Sequence, residues 1–577
     1  MKSNMKIFNI LVLCTLILGF TACDDLNENL DNPTEITASG AQINDLYNNI
    51  QLSSAGLYGN MWGTPASLSR MIANTGSYQY LNTTSPNSFN GIWNNVYQVM
   101  WPDIDALVAI ADEKGFTKHS GTANILKAYS MMMLVDVFGN VPYSEALQGI
   151  ANISPNADNG AAVYAAAIAL LDQSITALEG ASAAPAPTFD NYYGGNITRW
   201  ITFAKTLKLR AALTTKLVAA AEATSIINSI VSGGDFIDTA AEDFQFSYGT
   251  TRVNPNSRHP LYNNSYETND GDYMSNYYMW LLRADKEDAG VPVVDPRIRY
   301  YFYRQVENAE IQSSTTHSCH FSNTPDQNAK PAWYTAIDPR LPYCIAFPGD
   351  GYWGRDHLNN EGIPPDGNIR TIYGLYPAGG LFDENSFDDQ QQSGVTGARG
   401  QGIWPVMLAS YVDFMRAEAA LTLGTTDNAR TLLESGIRKS IAKVQGFSSR
   451  DAATFTKQIN QRGTLISVRD AFVPTAGDVD DYVNFVLASY DAADQDGKLN
   501  IVMKEYYIAL WGNGIESYNM YRRTGKPNNM APALESAPGP FMSSYFYPAD
   551  YVNRNQNATQ KLITDRVFWD NGSVTVY

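Results

Sequence analysis

The sequence predicts a mainly α-helical body that carries a long, irregular, loop-rich insertion. Two blocks show the three-and-four spacing of buried helices. Between them, residues 235–403 are crowded with Gly, Pro, Asn, Asp, Tyr and Trp and show little periodicity. No Pro/Ser/Gly-rich linker divides the 577 residues, which points to one large intertwined unit.

The N-terminus begins with Lys2 and Lys6 and continues in an almost unbroken apolar run over 7–20. That run is shorter than the roughly 20 residues a helix needs to cross a bilayer, so residues 1–22 read as a signal peptide. It ends in Phe20-Thr21-Ala22-Cys23, which resembles a bacterial lipobox and makes Cys23 the candidate lipidation site. Residues 23–40, polar and acidic with Pro33 and Gly40, suit a tether to the body at 41–577. No later stretch is expected to be apolar for long enough to form a second membrane segment.

In the first helical block, about 93–232, Ile125, Tyr129, Met132 and Met133 share a face. Tyr164, Ile168, Leu171, Ile175 and Leu178 share another, and Trp200, Phe203 and Leu207 repeat the spacing. Gly139 with Pro142 ends one helix, and the Ala/Pro stretch 181–187 ends the next. In the second block, about 404–525, Leu408, Tyr411, Val412, Met415 and Ala419 define a helix stopped by Gly424. A helix over 427–445 follows, and Met503, Tyr507 and Leu510 mark a later one. Paired helices with short turns suggest hairpin repeats of the tetratricopeptide sort. Trp93 and Trp101 fall on a helix and read as core, while Trp280 is open between core and surface.

The formal charge of −18 includes Lys2 and Lys6, so the chain after cleavage carries about −20. Such a surface repels nucleic acid and other polyanions. Only 17% of residues are charged, whereas there are 35 Tyr and 10 Trp, so the acidity is diffuse and aromatics are abundant. After Cys14 and Cys23, the cysteines left are Cys319 and Cys344, a candidate disulfide in an oxidising exterior. Two free thiols, or metal binding with His317 and His320, are the alternatives; the spacing matches no zinc framework. We expect no bound metal and no cofactor.

Several motifs fail on context. Gly349, Gly351 and Gly354 spell GxGxxG, but no strand-turn-helix surrounds them. Asp494-Gln495-Asp496-Gly497 mimics a calcium loop, yet its twelfth position is Met503. Asp270-Gly271-Asp272 reads as a turn before it reads as a cation site. Acid pairs such as Asp388-Asp389 occur without any sign of a shared cleft. No nucleophile motif is present, so no catalytic residue is assigned and no enzyme is expected.

The remaining motifs, taken in order, carry a resemblance. Asn32-Pro33-Thr34 is followed by Ala123–Ala146 (ANILKAYSMMMLVDVFGNVPYSEA), by Asp295-Pro296-Arg297 or Asp338-Pro339-Arg340, and by Arg416-Ala417-Glu418-Ala419. Trp511–Glu516 (WGNGIE), Tyr521–Gly525 (YRRTG) and Phe568-Trp569-Asp570 close the series. The chain resembles the SusD-like (SusD/RagB) family of Bacteroidetes outer-membrane nutrient-binding lipoproteins, nearly end to end. The resemblance implies four tetratricopeptide-like hairpins as scaffold. It also implies an outer-membrane location facing the cell exterior and a SusC-like TonB-dependent transporter as partner. Arg522 and Arg523 suit forked contacts to carboxylates or carbonyls within that scaffold.

Sugar rings present flat C–H faces, which Tyr and Trp match with apolar faces and polar edges. By position, the family's sites take aromatics from the early loops and the central irregular zone. The matching candidates here are Trp62, Tyr78 and Tyr80, with Trp333, Tyr334, Tyr352 and Trp353; Arg355, Asp356 and Asn359 would add polar contacts. The expected function is oligosaccharide capture at the cell surface and delivery to the transporter. Oligopeptide capture and surface glycoside hydrolysis are the alternatives.

Overall fold

The computed structural model describes residues 42–268, 271–307, 330–343, 351–360, 370–389 and 394–577. Cys23, Cys319, Cys344, His317, His320, Gly349 and Asp270 lie outside these residues.

Helix α1 (Ile43–Asn60) buries Tyr47, Ile50 and Leu57 against α2 (Trp101–Lys114) and α3 (Thr117–Phe138). Left-handed Gly115 (φ 74°) ends α2, as a residue without Cβ can. Nearly every residue of α3 from His119 to Phe138 is buried, so this helix is a central rod wrapped on all sides. Helix α4 (Gly160–Gly180) packs on it and starts at Asn159, whose side chain accepts from Ala161 N at 2.9 Å. Close approach of the pair rests on Gly121, where a Cβ would stand 2.7 Å from Leu178 Cδ2.

Contrary to the sequence expectation, α4 has the length and mean hydropathy (1.5) of a membrane span. The cause is its Ala-rich outer face, with Ala161, Ala162, Ala165 and Ala169 exposed, while Val163, Ala167, Leu171 and Leu178 pack inward. Helices α5 (Ile197–Thr214) and α6 (Ala220–Gly233) complete the block and reach the second one.

The second block holds α7 (Ala409–Leu423), α8 (Ala429–Gln445), α9 (Ala476–Ala492), α10 (Gln495–Ala509) and α11 (Gly514–Thr524). Asp494, part of the calcium-loop look-alike, is the N-cap of α10, its carboxylate accepting from Gly497 N at 2.8 Å. Thr475 and Asp478 form a capping box at the start of α9. Strand β1 (Phe244–Ser247) pairs antiparallel with β2 (Ile403–Met407), opposing Phe246 to Trp404. This ribbon brings the two ends of the central insertion together, so the insertion leaves and rejoins the helical body at one place.

Buried ion pairs tie the blocks together. Arg523 forks onto Glu418 at 2.7 and 2.8 Å, and Lys216 reaches the same carboxylate at 2.7 Å. Arg210 bridges Asp136 (2.6 Å) and Glu516 (2.5 Å), while Trp569 Nε1 donates to Asp136 at 3.0 Å. Arg522 donates to the Ser543 and Asp136 carbonyls at 2.7 and 2.6 Å. The recurring motifs therefore meet in the interior as mutual counter-charges. Both Asp-Pro-Arg segments fold into the same internal fork: Asp295–Arg297 is buried beside Glu505, and Asp338–Arg340 lies nearer the surface.

Candidate functional site

Three distant stretches are joined through segment 531–538. The short helix Ala332–Thr335 turns Trp333 outward, 38% exposed, with Nε1 donating to the Ala533 carbonyl at 3.2 Å. On its inner side Tyr334 is fully buried, edge-on to Tyr343 at 5.3 Å, and its hydroxyl points to the Pro532 carbonyl. From the early loop, Tyr78 is half-buried and Tyr80 buried; Tyr80 N donates to the Pro538 carbonyl at 3.0 Å. Leu534 N donates to the His357 carbonyl at 2.9 Å. The segment 531–538 thus runs between the early loop and the central zone. Sequence reasoning passed over it, and its one signal was a Pro/Ala-rich stretch five residues after the YRRTG motif.

The support beneath is polar and fixed. Arg70, with no exposed surface, donates to Tyr80 Oη at 2.9 Å, and that oxygen also meets His357 Nε2 at 2.9 Å. Burial, reinforced by the Arg70 charge, pushes His357 well below the usual imidazole range and keeps it neutral. Burial likewise raises the Tyr80 hydroxyl to about 12, so it stays protonated despite Arg70. These groups position the loop; they carry no net negative charge to the surface above them.

The other expected contact residues lie in the interior. Trp62 is buried, its Nε1 donating to Tyr373 Oη at 3.0 Å and its ring edge-on to Trp511 at 5.4 Å. Tyr352 sits under the Arg304 guanidinium, 4.8 Å from the ring centre. Trp353 packs with Val306 and Tyr273. Arg355 and Asn359 have no exposed surface, and Asp356 accepts from Asn276 Nδ2 at 2.9 Å. Only Trp333, and in part Tyr78, is therefore placed to touch a ligand arriving from solvent.

The other motifs resolve as packing. A Cβ at Gly354 would stand 2.1 Å from the Met274 carbonyl, so this glycine serves a close backbone approach. Asp272 accepts from Tyr373 Oη at 2.6 Å, and burial raises its carboxyl above the usual range. Among the described residues no cluster of three His, Cys, Asp or Glu side chains could hold a metal ion.

Residues 32–328 match the family model described as "Starch-binding associating with outer membrane". Residues 378–571 match the one described as "Susd and RagB outer membrane lipoprotein". Among solved structures, a chitin-binding protein shares 18% identity at TM-score 0.62, covering 92% of this chain and 99% of its own. A chitin-binding SusD homolog from Flavobacterium johnsoniae shares 18% at TM-score 0.56 with the same coverage. A SusD homolog from Bacteroides ovatus shares 20% at TM-score 0.59, again covering 92% and 99%. At such identities these structures speak for the fold alone. A search of curated proteins returns no match. With the first family model alone spanning more than half of the chain, and the buried motif residues of the second block inside the other, this protein belongs to the SusD-like family of outer membrane lipoproteins.

Proposed function

We propose that this protein captures neutral oligosaccharides at the cell surface and passes them to a SusC-like TonB-dependent transporter without cleaving them. In this reading residues 1–22 are removed, a lipid on Cys23 holds the chain to the outer membrane, and 23–40 tether a single binding unit. The observation that carries the binding role is the half-exposed Trp333 ring, its Nε1 held by the Ala533 carbonyl; Tyr78, half-buried in the early loop, is the other expected contact left partly open to solvent. A flat aromatic face with a fixed hydrogen-bonded edge suits the C–H face of a pyranose. Two structural relatives are chitin-binding proteins, which makes N-acetylglucosamine oligomers the first probes, beside malto-oligosaccharides.

The test is calorimetry with those two series against wild type and Trp333→Ala. We expect dissociation constants on the order of micromolar to millimolar for wild type, equivalent to about −8 to −4 kcal/mol. Removing the ring should cost roughly 1.5 to 3 kcal/mol, enough to abolish a weak signal. Glycan binding unchanged by Trp333→Ala in both affinity and number of sites would move this site elsewhere. Tight peptide binding with no glycan response would replace the function with oligopeptide capture, and released sugars on long incubation would make the protein a hydrolase.

A further inference from the structure

A second aromatic pocket lies among other elements than those around Trp333. Its cavity of about 290 Å³ opens between the short helix Asn90–Asn94 with the π-turn that follows, the loop 142–155, and the helix Ala549–Arg554 near the end of the chain. The floor is made by Trp93, against which Tyr97 and Tyr551 both pack with ring centroids 4.6 Å away. Sequence position alone marks Trp93 as core, and it is indeed only 7% exposed, yet its free edge forms part of this cavity.

Most of the polar groups around the floor are carboxamides. Gln98 and Gln148 stand exposed at the mouth, and Asn94 lies between Gln98 and Asp550. Carboxamides both donate and accept, as a sugar hydroxyl does. The one charged pair at the rim, Asp550 and Arg554, is mutually compensated at 3.3 Å. Among the described residues neither Trp93 Nε1 nor Tyr551 Oη has a hydrogen-bond partner, which leaves two polar ring edges for an incoming group.

The opposite wall is built in advance. The Asp158 carboxylate accepts from Tyr143 N (2.7 Å), Ser144 N (2.9 Å) and Ser144 Oγ (2.6 Å). Glu145 accepts from Asn152 Nδ2 and Asn156 N at 3.1 and 2.9 Å. Tyr97 Oη donates to the Pro142 carbonyl at 2.7 Å, and Asn555 Nδ2 to the Pro155 carbonyl at 2.8 Å. So held, the loop sets Leu147 in a left-handed conformation (φ 61°) at the lip and leaves Ile153 74% exposed. A branched side chain in that region is strained, and such strain persists where surrounding contacts impose it. A wall fixed in this way loses little entropy when a ligand binds.

We propose that the Trp93–Tyr97–Tyr551 pocket is a second carbohydrate subsite, taking one or two neutral pyranose units of a glycan. This inference rests on the glycan reading above and adds to it a site of different residues. The cavity lies near the lower bound of small-ligand pockets, which sets the size of the occupant. An apolar floor, with a rim of carboxamides and one mutually compensated ion pair, favours a neutral polyol over a charged or purely apolar ligand.

Chitohexaose and maltoheptaose are titrated calorimetrically into wild type, Trp333→Ala, Tyr551→Ala, Gln98→Ala/Gln148→Ala, and the Trp333→Ala/Tyr551→Ala double variant. Tyr551→Phe, which keeps the ring and removes only the hydroxyl, controls for folding alongside thermal melts. Two sites per chain are expected in wild type. Trp333→Ala should retain one of them, with a further loss of about tenfold or more when Tyr551 is also removed, and a smaller loss in the glutamine double variant. Binding abolished by Trp333→Ala and unchanged in the Tyr551 and glutamine variants would overturn the pocket and leave the proposed function standing. Binding abolished by Tyr551→Ala and unchanged in Trp333→Ala would uphold the pocket and displace the first site. Silence of every protein toward both glycans would overturn both.

Discussion

Glu418 is enclosed between Arg523 and Lys216 with no exposed surface. Burial by itself would raise its carboxyl, but the two cations hold it at about 2. A carboxylate depressed on folding adds stability above its ordinary value of 4.5, and that contribution is lost as pH falls from there toward 2. The shift corresponds to roughly 3 kcal/mol. Glu418→Gln should therefore destabilise the protein at pH 7 by about 3 to 5 kcal/mol, because two cations are left buried without their counter-charge. Urea denaturation at pH 7 and pH 3 checks this: the gap between wild type and variant should narrow at the lower pH. A gap unchanged between the two would mean that Glu418 is protonated already or that the pair is neutral to folding.

At the scale of elements, the helices are spaced by small residues at their crossings. Gly436 of α8 faces the ring of Phe414 of α7, where a Cβ would lie 2.9 Å from Cζ. Gly436→Ala gains about 1 kcal/mol of helix propensity but must push an immobile ring. Overpacking of this kind costs typically 1 to 3 kcal/mol, so the net change should be destabilising by up to about 2 kcal/mol. Gly424, by contrast, ends α7 with φ 68° and nothing near its Cβ, so alanine there meets backbone strain alone. Thermal melts of both variants separate the two causes, because only the first is rescued by Phe414→Leu.

For the whole molecule, the decisive predictions concern attachment and the exterior. Cys23→Ala should release the protein from membranes, since stable anchoring needs more than one acyl chain and the residue supplies the only acylation point proposed. Membrane fractions washed at high salt that still hold the variant would refute the lipid anchor. Cys319 and Cys344 are expected to form a disulfide contributing about 3 kcal/mol in the loop-entropy account. Mass spectrometry of unreduced protein should find neither thiol alkylated; two alkylated cysteines would exclude the bond.

The helices were legible in the sequence because a helix registers its burial locally. Tyr164, Leu171 and Leu178 are spaced to share a face, and all are buried while Ala161, Ala165 and Ala169 of the same helix stay exposed. Gly139 and Gly424 end their helices for reasons intrinsic to one residue. Arg522, Arg523, Glu418 and Glu516 were recognisable as scaffold motifs, although their partners up to 386 positions away were not. The candidate site was legible only as a region. Trp62 and Trp333 are both tryptophans in loop-like sequence, and nothing local separates them. Trp62 is buried because Tyr373 and Trp511 close over it; Trp333 stays half-exposed because segment 531–538 supports one edge and leaves the face open. The Trp93 pocket arises the same way, from Tyr551 arriving near the chain's end. Periodicity and charge are properties of neighbouring residues, so the sequence alone determined them. Which aromatic faces meet solvent depends on contacts between remote segments, and only the tertiary structure decided that.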